Sequence, residues 1–133
     1  MEKFFSKWQP IALSLLRFIT GLMLFQFGVA KILKFPPDSP LANVEITSLF
    51  GIAGCIELVL GALLILGLFT RPVAFILSGE MAFAYFIEHA PHSFFPLLNE
   101  GNEAVLFCFI FLFLAAAGGG PWSLDALLRS NRK

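Results

Sequence analysis

The stretch from Arg71 to Glu103 reads RPVAFILSGEMAFAYFIEHAPHSFFPLLNEGNE. Its first half is apolar enough to enter a lipid bilayer, yet Glu80 stands in the middle of that half. A carboxyl group in hydrocarbon is costly and needs a partner or a function. The second half gathers acidic, imidazole and amide side chains beside two prolines and a glycine: Glu88, His89, His92, Asn99, Glu100, Asn102 and Glu103. The stretch therefore predicts a membrane helix that ends in a polar cluster.

The composition of the 133-residue chain also favours a membrane protein. The chain is 58% hydrophobic and 14% charged, whereas a soluble domain is roughly 45–50% apolar and about 25% charged. A spanning helix takes about 20 residues, so four spans would use about 80 residues and leave short loops. Acidic and basic residues are equal in number, nine of each, without the clustered basic face of a nucleic-acid-binding protein. We predict a single domain over residues 1–133 that contacts the lipid bilayer and no nucleic acid.

Apolar runs bounded by Pro, Gly and Ser predict four membrane helices and a short terminal helix. Pro10 and Pro72 suit first helical turns, and Gly67 suits a helix C-cap. Thr47 or Ser48 can cap the second helix. The short turn between Gly67 and Pro72 predicts an antiparallel hairpin. The predicted fold class is all-α, an integral membrane four-helix bundle, with helices at about 10–33, 48–67, 72–89 and 102–117 and a short interfacial helix at about 123–130.

Small residues and charges share one face of each of the first two helices. Steps of three and four join the members of both faces, which are Arg17, Gly21, Leu24, Gly28 and Lys31 in the first helix and Gly54, Glu57 and Gly61 in the second. Small residues allow close helix approach, so we expect the two faces to meet. Arg17 and Glu57 are then a candidate buried pair, while Lys31 either faces inward or extends to the membrane surface.

The distribution of basic residues predicts the orientation. Four spans place both ends of the chain on one side, together with Lys3, Lys7, Arg71, Arg129, Arg132 and Lys133, whereas Lys31 and Lys34 fall opposite. The positive-inside rule then puts the N and C termini in the cytoplasm and the His89 loop outside. In the terminal helix, the i, i+4 spacing of Asp125 and Arg129 favours an ion pair.

The candidate polar intramembrane site contains Arg17, Glu57, Glu80, Tyr85, His89, Asn99 and Glu103. Two members have an alternative structural role. Arg17 could anchor its helix, and Glu103 lies in a first helical turn, where a carboxylate complements the helix dipole. His89 and His92 have a spacing that metal sites use, but Pro91 breaks the helical face between them, and no metal is predicted. No particular catalytic residue is predicted.

The two cysteines, Cys55 and Cys108, lie far apart in apolar runs without a C-x-x-C motif. One interpretation is two small buried residues, since a free cysteine packs as a small hydrophobe. The other is a redox pair inside the membrane, which requires the two sulfur atoms to meet.

Several short motifs follow one another along the chain. They are Arg17…Gly21…Gly28…Lys31, Glu57…Gly61…Leu66-Gly67-Leu68-Phe69-Thr70-Arg71-Pro72, Gly79-Glu80-Met81-Ala82 with Ala84-Tyr85 and His89, Pro96…Asn99…Gly101…Glu103-Ala104-Val105-Leu106, and Gly120-Pro121-Trp122-Ser123-Leu124-Asp125. In this order and spacing they resemble the DoxX family of small bacterial membrane proteins. Phe95 and Phe107 stand where Trp and Tyr are expected. The resemblance implies a four-helix, multi-pass protein of the bacterial cytoplasmic (inner) membrane. The family's name derives from a subunit of a terminal quinol oxidase and thiosulfate:quinone oxidoreductase system, and other members are tied to thiol and oxidative-stress systems.

Three functions fit these observations. The first is a redox component, in which carboxylates and a histidine exchange protons with a quinone. The sequence has no haem, flavin or iron–sulfur ligand pattern, so no cofactor is evident apart from a possible quinone, and the electrons would come from an oxidoreductase partner subunit or pass through the quinone itself. The second is a membrane scaffold whose charges form buried salt bridges. The third is a small proton or solute transporter, which would have to form a homo-oligomer to make a path.

Overall fold

A computed structural model describes residues 1–131, and this part of the chain is helical without a strand. Helices account for 76% of the structure. The predicted all-α class is confirmed, while the single domain, the four-helix bundle and the cytoplasmic location of both termini stay predictions. Arg132 and Lys133, two of the basic residues that predict the orientation, lie outside the described residues.

The five predicted helices begin and end within two residues of the predicted positions, and two short α-helices, Glu2–Ser6 and Pro96–Asn99, are additional. Two are long and apolar enough to cross a membrane, Gln9–Leu33 with 25 residues and Leu49–Leu66 with 18, and Asn102–Ala117 is a shorter apolar helix. The α-helices are α1 (Glu2–Ser6), α2 (Gln9–Gly28), α3 (Leu49–Leu66), α4 (Thr70–Ala84), α5 (Pro96–Asn99), α6 (Asn102–Ala117) and α7 (Leu124–Asn131). The π-helical turns Val29–Leu33 and Tyr85–His89, which were not predicted, extend α2 and α4.

Three caps explain where the helices begin and end, and two of them, Ser48 and Gly67, are predicted from the sequence. The Ser48 hydroxyl accepts the Gly51 N–H at 3.1 Å at the start of α3. The Ser123 hydroxyl accepts the Ala126 N–H at 3.1 Å at the start of α7. Gly67 ends α3 with a φ of 71°, a left-handed conformation that glycine adopts without a Cβ penalty.

The described chain divides into two compact units. Unit 1 contains residues 1–70 together with the segment that starts at Gly119, and unit 2 contains Arg71–Gly118. Each unit holds one antiparallel pair of long helices.

In unit 1, glycines bring α2 and α3 into direct backbone contact. Gly21 lies against Ile65. Gly28 comes seven residues after Gly21, and it lies against Leu58, which comes seven residues before Ile65. Gly61 in turn faces the backbone of Phe25. The two helices therefore run antiparallel, and the predicted meeting of their small-residue faces is confirmed.

We expect Gly28→Ala to lower the free energy of unfolding by about 1–3 kcal/mol, a usual cost of overpacking. An added Cβ would lie 2.5 Å from the Leu58 nitrogen, and backbone atoms cannot move aside as a flexible side chain can. The measurement is thermal unfolding in detergent. Gly79→Ala is the matched control, because nothing lies within 4 Å of its added Cβ, and alanine favours a helix. Equal melting temperatures for the two variants would contradict the prediction.

In unit 2, α4 and α6 pair in the same antiparallel manner. Arg71 donates to the Ala115 carbonyl at 3.4 Å and Ser78 donates to the Cys108 carbonyl at 2.8 Å. One further step of seven residues places Tyr85 against Gly101. The end of this hairpin is therefore the place where the polar residues of the Arg71–Glu103 stretch gather.

The cysteines differ in environment, and both are free thiols. Cys55 is exposed on α3, so its interpretation as a small buried residue is wrong. Cys108 is half-buried on α6, and its sulfur lies 3.5 Å from the Ser78 hydroxyl.

Candidate functional site

Asn99 is the centre of a hydrogen-bonded cluster at the end of the α4–α6 hairpin. It is 3% exposed. Its side-chain nitrogen donates to the Tyr85 hydroxyl at 3.2 Å and to the Ser93 carbonyl at 2.9 Å, and its side-chain oxygen accepts the Gly101 N–H at 2.8 Å. The amide thus has a partner for each donor and for its acceptor, which fixes its orientation.

The orientation of the His89 ring is fixed by the backbone of Asn99. Its Nδ1 lies 2.9 Å from the Asn99 carbonyl oxygen, and because a carbonyl only accepts, Nδ1 carries the proton. In the neutral imidazole Nε2 is then the acceptor, and it is the ring nitrogen that can bind a ligand or take up a proton. The His89 and Tyr85 rings lie 6.3 Å apart with 33° between their planes. A proton acceptor and a phenol are therefore held side by side.

Local sequence explains how the cluster forms. The π turn at the end of α4 carries Tyr85 and His89, and the loop after it returns through Pro96 at the start of α5. Glu100 takes a left-handed φ of 60°, which ends α5 and leads into α6. A Cβ on Gly101 would lie 2.6 Å from the Tyr85 ring and 2.7 Å from the Asn99 side-chain oxygen. Only glycine therefore fits where the loop closes on the cluster.

The sequence also singles out Glu80, Glu103 and His92 in unit 2. Glu80 is half-buried in the middle of α4, and both of its carboxylate oxygens are buried. Glu103 is exposed in the first turn of α6, where the helix dipole favours a carboxylate. His92 is exposed in the loop. Of the predicted site residues, the structure brings Tyr85, His89 and Asn99 into hydrogen-bonded contact.

The acid of α3 has a different partner from the predicted one. Lys31 donates to Glu57 at 2.8 Å, and the two side chains are 10% and 6% exposed. The predicted pairing of Arg17 with Glu57 is wrong, because the antiparallel register places Lys31, on the π turn after α2, beside this part of α3. Gly54 completes the contact, since a Cβ there would lie 2.7 Å from the Lys31 Cβ.

Arg17 instead binds backbone carbonyl groups. The buried guanidinium donates to Gly119 at 2.5 Å, to Trp122 at 3.0 Å and to Ile65 at 3.4 Å. Ile65 lies in the last turn of α3, where carbonyls lack helical partners and the helix dipole favours a cation. Arg17 therefore joins α2, the end of α3 and the turn before α7, which is the anchoring role that the sequence left open.

Asp125, on α7, binds the backbone of the turn between α3 and α4. Its two carboxylate oxygens accept the N–H groups of Phe69 and Thr70, each at 2.8 Å. The expected i, i+4 pair with Arg129 is absent from the ion pairs of residues 1–131, because the carboxylate caps the start of α4 instead. These bonds hold the terminal helix against the turn between α3 and α4, a role that its local sequence did not indicate.

The described part of the chain holds no group of three or more His, Cys, Asp and Glu residues placed to bind a metal ion.

The described residues form an all-helical structure with two candidate membrane-spanning helices. Lys31 and Glu57 form a buried ion pair between them, as charged groups inside a membrane require, so these features fit a helical membrane protein. The chain belongs to the DoxX family, whose family model matches residues 12–90. It is also similar to an uncharacterized protein of Haemophilus influenzae (strain ATCC 51907 / DSM 11121 / KW20 / Rd), with 42% identity over 123 residues that cover 90% of this chain and 92% of that protein. No solved structure matches the chain.

Proposed function

We propose that the protein is a multi-pass redox component of the bacterial cytoplasmic membrane that binds a quinone or quinol head group at Tyr85, His89 and Asn99. The observation that carries the proposal is the bond from His89 Nδ1 to the Asn99 carbonyl. It leaves Nε2 as an acceptor beside a phenol, in a half-buried position next to apolar helices. A quinol matches this pair of groups, because one of its hydroxyls can donate to Nε2 and its other oxygen can accept from the phenol.

The chemistry follows from the donors and acceptors. One quinol hydroxyl donates to His89 Nε2, which can accept its proton, while the Tyr85 hydroxyl, already accepting from Asn99, donates to the second oxygen of the same quinol. Oxidation of the quinol releases two electrons and two protons. In this proposal, the two electrons pass to an oxidoreductase partner subunit, and the second proton leaves to the aqueous side.

We expect His89→Ala to reduce the quinone retained per protein roughly tenfold, the effect of losing about 1.4 kcal/mol of binding free energy, near the value of one hydrogen bond. The measurement is extraction with organic solvent of protein purified gently from its own membrane. His92→Ala is the matched control, because His92 is the other histidine of the chain and is exposed in the same loop. Tyr85→Phe should cause a smaller loss. Equal retention by His89→Ala and His92→Ala would contradict the proposal.

A membrane scaffold is the second candidate, and a specific observation favours it. The buried charges of unit 1 have partners inside the unit: Lys31 binds Glu57 and Arg17 binds three carbonyls. Charges engaged in this way fix helix register. Native mass spectrometry of the gently extracted protein separates the two functions, since a scaffold carries a partner subunit without a quinone.

A further inference from the structure

The loop that carries the cluster has an apolar outer surface. Residues 90–99 contain no Asp, Glu, Lys or Arg. Phe94 and Leu97 are 87% and 80% exposed, and Phe95 and Leu98 are also well exposed. Four large apolar side chains within five residues form a patch of the kind that soluble surfaces avoid and that marks contact with a partner or a membrane. We call residues 93–99 the Phe94 loop.

The inner side of the Phe94 loop is polar. The Ser93 carbonyl accepts from Asn99, and Asn99 also holds Tyr85 and His89. The loop is therefore amphipathic, with bonded polar groups toward the cluster and free apolar side chains away from it. This division is typical of a segment that lies in the plane of a membrane interface with its apolar face among the acyl chains.

The length of α6 places the loop at the depth of that interface. Its 16 residues span about 24 Å, less than the roughly 30 Å of a hydrocarbon core. If a helix of this length spans the bilayer, it begins at the edge of the hydrocarbon or within it, which fits a loop at the interface. Glu100 and Glu103 are exposed there, at a level where carboxylates can reach the head groups.

Large apolar side chains are also exposed on the helix that precedes the loop. Phe83 and Phe86 are exposed on α4 and its π turn, and in a membrane protein such residues face lipid. Because the patch carries no charge and the helix before it exposes further apolar side chains, lipid is the occupant that fits it.

We infer that the Phe94 loop is inserted into the membrane leaflet and that the ligand of the Tyr85–His89–Asn99 cluster enters beside it from the bilayer. The ligand class is then a lipid-soluble molecule with a long apolar tail. The route of entry rests on the proposed function, whereas the insertion of the loop does not.

The depth of the loop is tested by fluorescence. The natural tryptophans Trp8 and Trp122 are replaced by Phe, and Phe94→Trp then carries the only indole, since the chain has two tryptophans. In nanodiscs, we expect lipids brominated on the acyl chains to reduce its emission roughly twofold, because the side chain lies within about 5–10 Å of the acyl boundary. Asp38→Trp, from an exposed loop position, is the control and should respond to aqueous iodide instead. Quenching of Phe94→Trp by iodide alone, or shielding only after a partner protein is added, would overturn the insertion.

The route of entry is tested by the paired substitution Phe94→Ser with Leu97→Ser. We expect it to slow the association of a long-tailed quinone in nanodiscs roughly tenfold and to leave the association of a tail-less analogue unchanged, whereas His89→Ala weakens the equilibrium binding of both. An unchanged association rate of the long-tailed quinone in the paired variant would overturn the entry route while leaving the proposed function intact. If His89→Ala binds both ligands as well as the wild type does, the proposed function and the route of entry are overturned. The fluorescence result would still decide the insertion.

Discussion

Glu57→Gln is expected to lower the free energy of unfolding by about 3–5 kcal/mol, because it leaves Lys31 as an uncompensated charge in a buried interface. The two side chains are nearly inaccessible and lie 2.8 Å apart between α2 and α3. Gly54 and Gly28 hold the helix backbones close on either side of the pair, so the interface has little room for water to replace the lost partner. Unfolding of the purified protein in mixed micelles measures the loss.

A double substitution tests whether the uncompensated charge is the cause. Lys31→Met combined with Glu57→Leu should recover most of the lost free energy, since well-packed apolar residues often replace a buried ion pair without loss. Glu45→Gln is the control, because Glu45 is exposed before α3 and exposed charges contribute little. If Glu57→Gln behaves like Glu45→Gln, the ion pair does not stabilise unit 1.

Arg17→Met is expected to have a comparable effect, about 3–6 kcal/mol, since hydrogen bonds of a charged group contribute roughly 1.5–3 kcal/mol each and two of the bonds that this guanidinium makes are 3.0 Å or shorter, the third being longer at 3.4 Å. Arg17→Lys should recover only part of the lost free energy of unfolding, because an ammonium group lacks the planar fork with which a guanidinium reaches several carbonyls. The carbonyls of Gly119 and Trp122 would lose a donor in the methionine variant, which loosens the turn before α7.

Two measurements check the Arg17 prediction. Thermal unfolding gives the loss of stability, with Arg129→Met as the control because Arg129 is exposed on α7. Limited trypsin digestion reports release of the C-terminal segment, and we expect cleavage after Arg129 to be faster in Arg17→Met than in the wild type. Unchanged melting and unchanged cleavage in Arg17→Met would show that the carbonyl contacts do not hold this turn.

The sequence determined the helices because their signals are local. Ser48 and Ser123 cap the first turns, Gly67 ends α3, and the glycines at steps of three and four define the face on which α2 meets α3. Each of these effects depends on residues within about one or two helical turns of one another. The two π turns are not predicted, because no local residue pattern distinguishes them from the α-helices that they extend.

The tertiary structure decided the partners of the charges. Periodicity places Arg17, Lys31 and Glu57 on facing surfaces but leaves the register open, and sliding one helix by a turn, about 5.4 Å, exchanges one ion pair for another. The partners of Arg17 and of His89 are backbone carbonyls, which every residue type carries. The sequence could therefore name the polar residues of this protein, whereas only the folded chain brings a particular carbonyl to each of them.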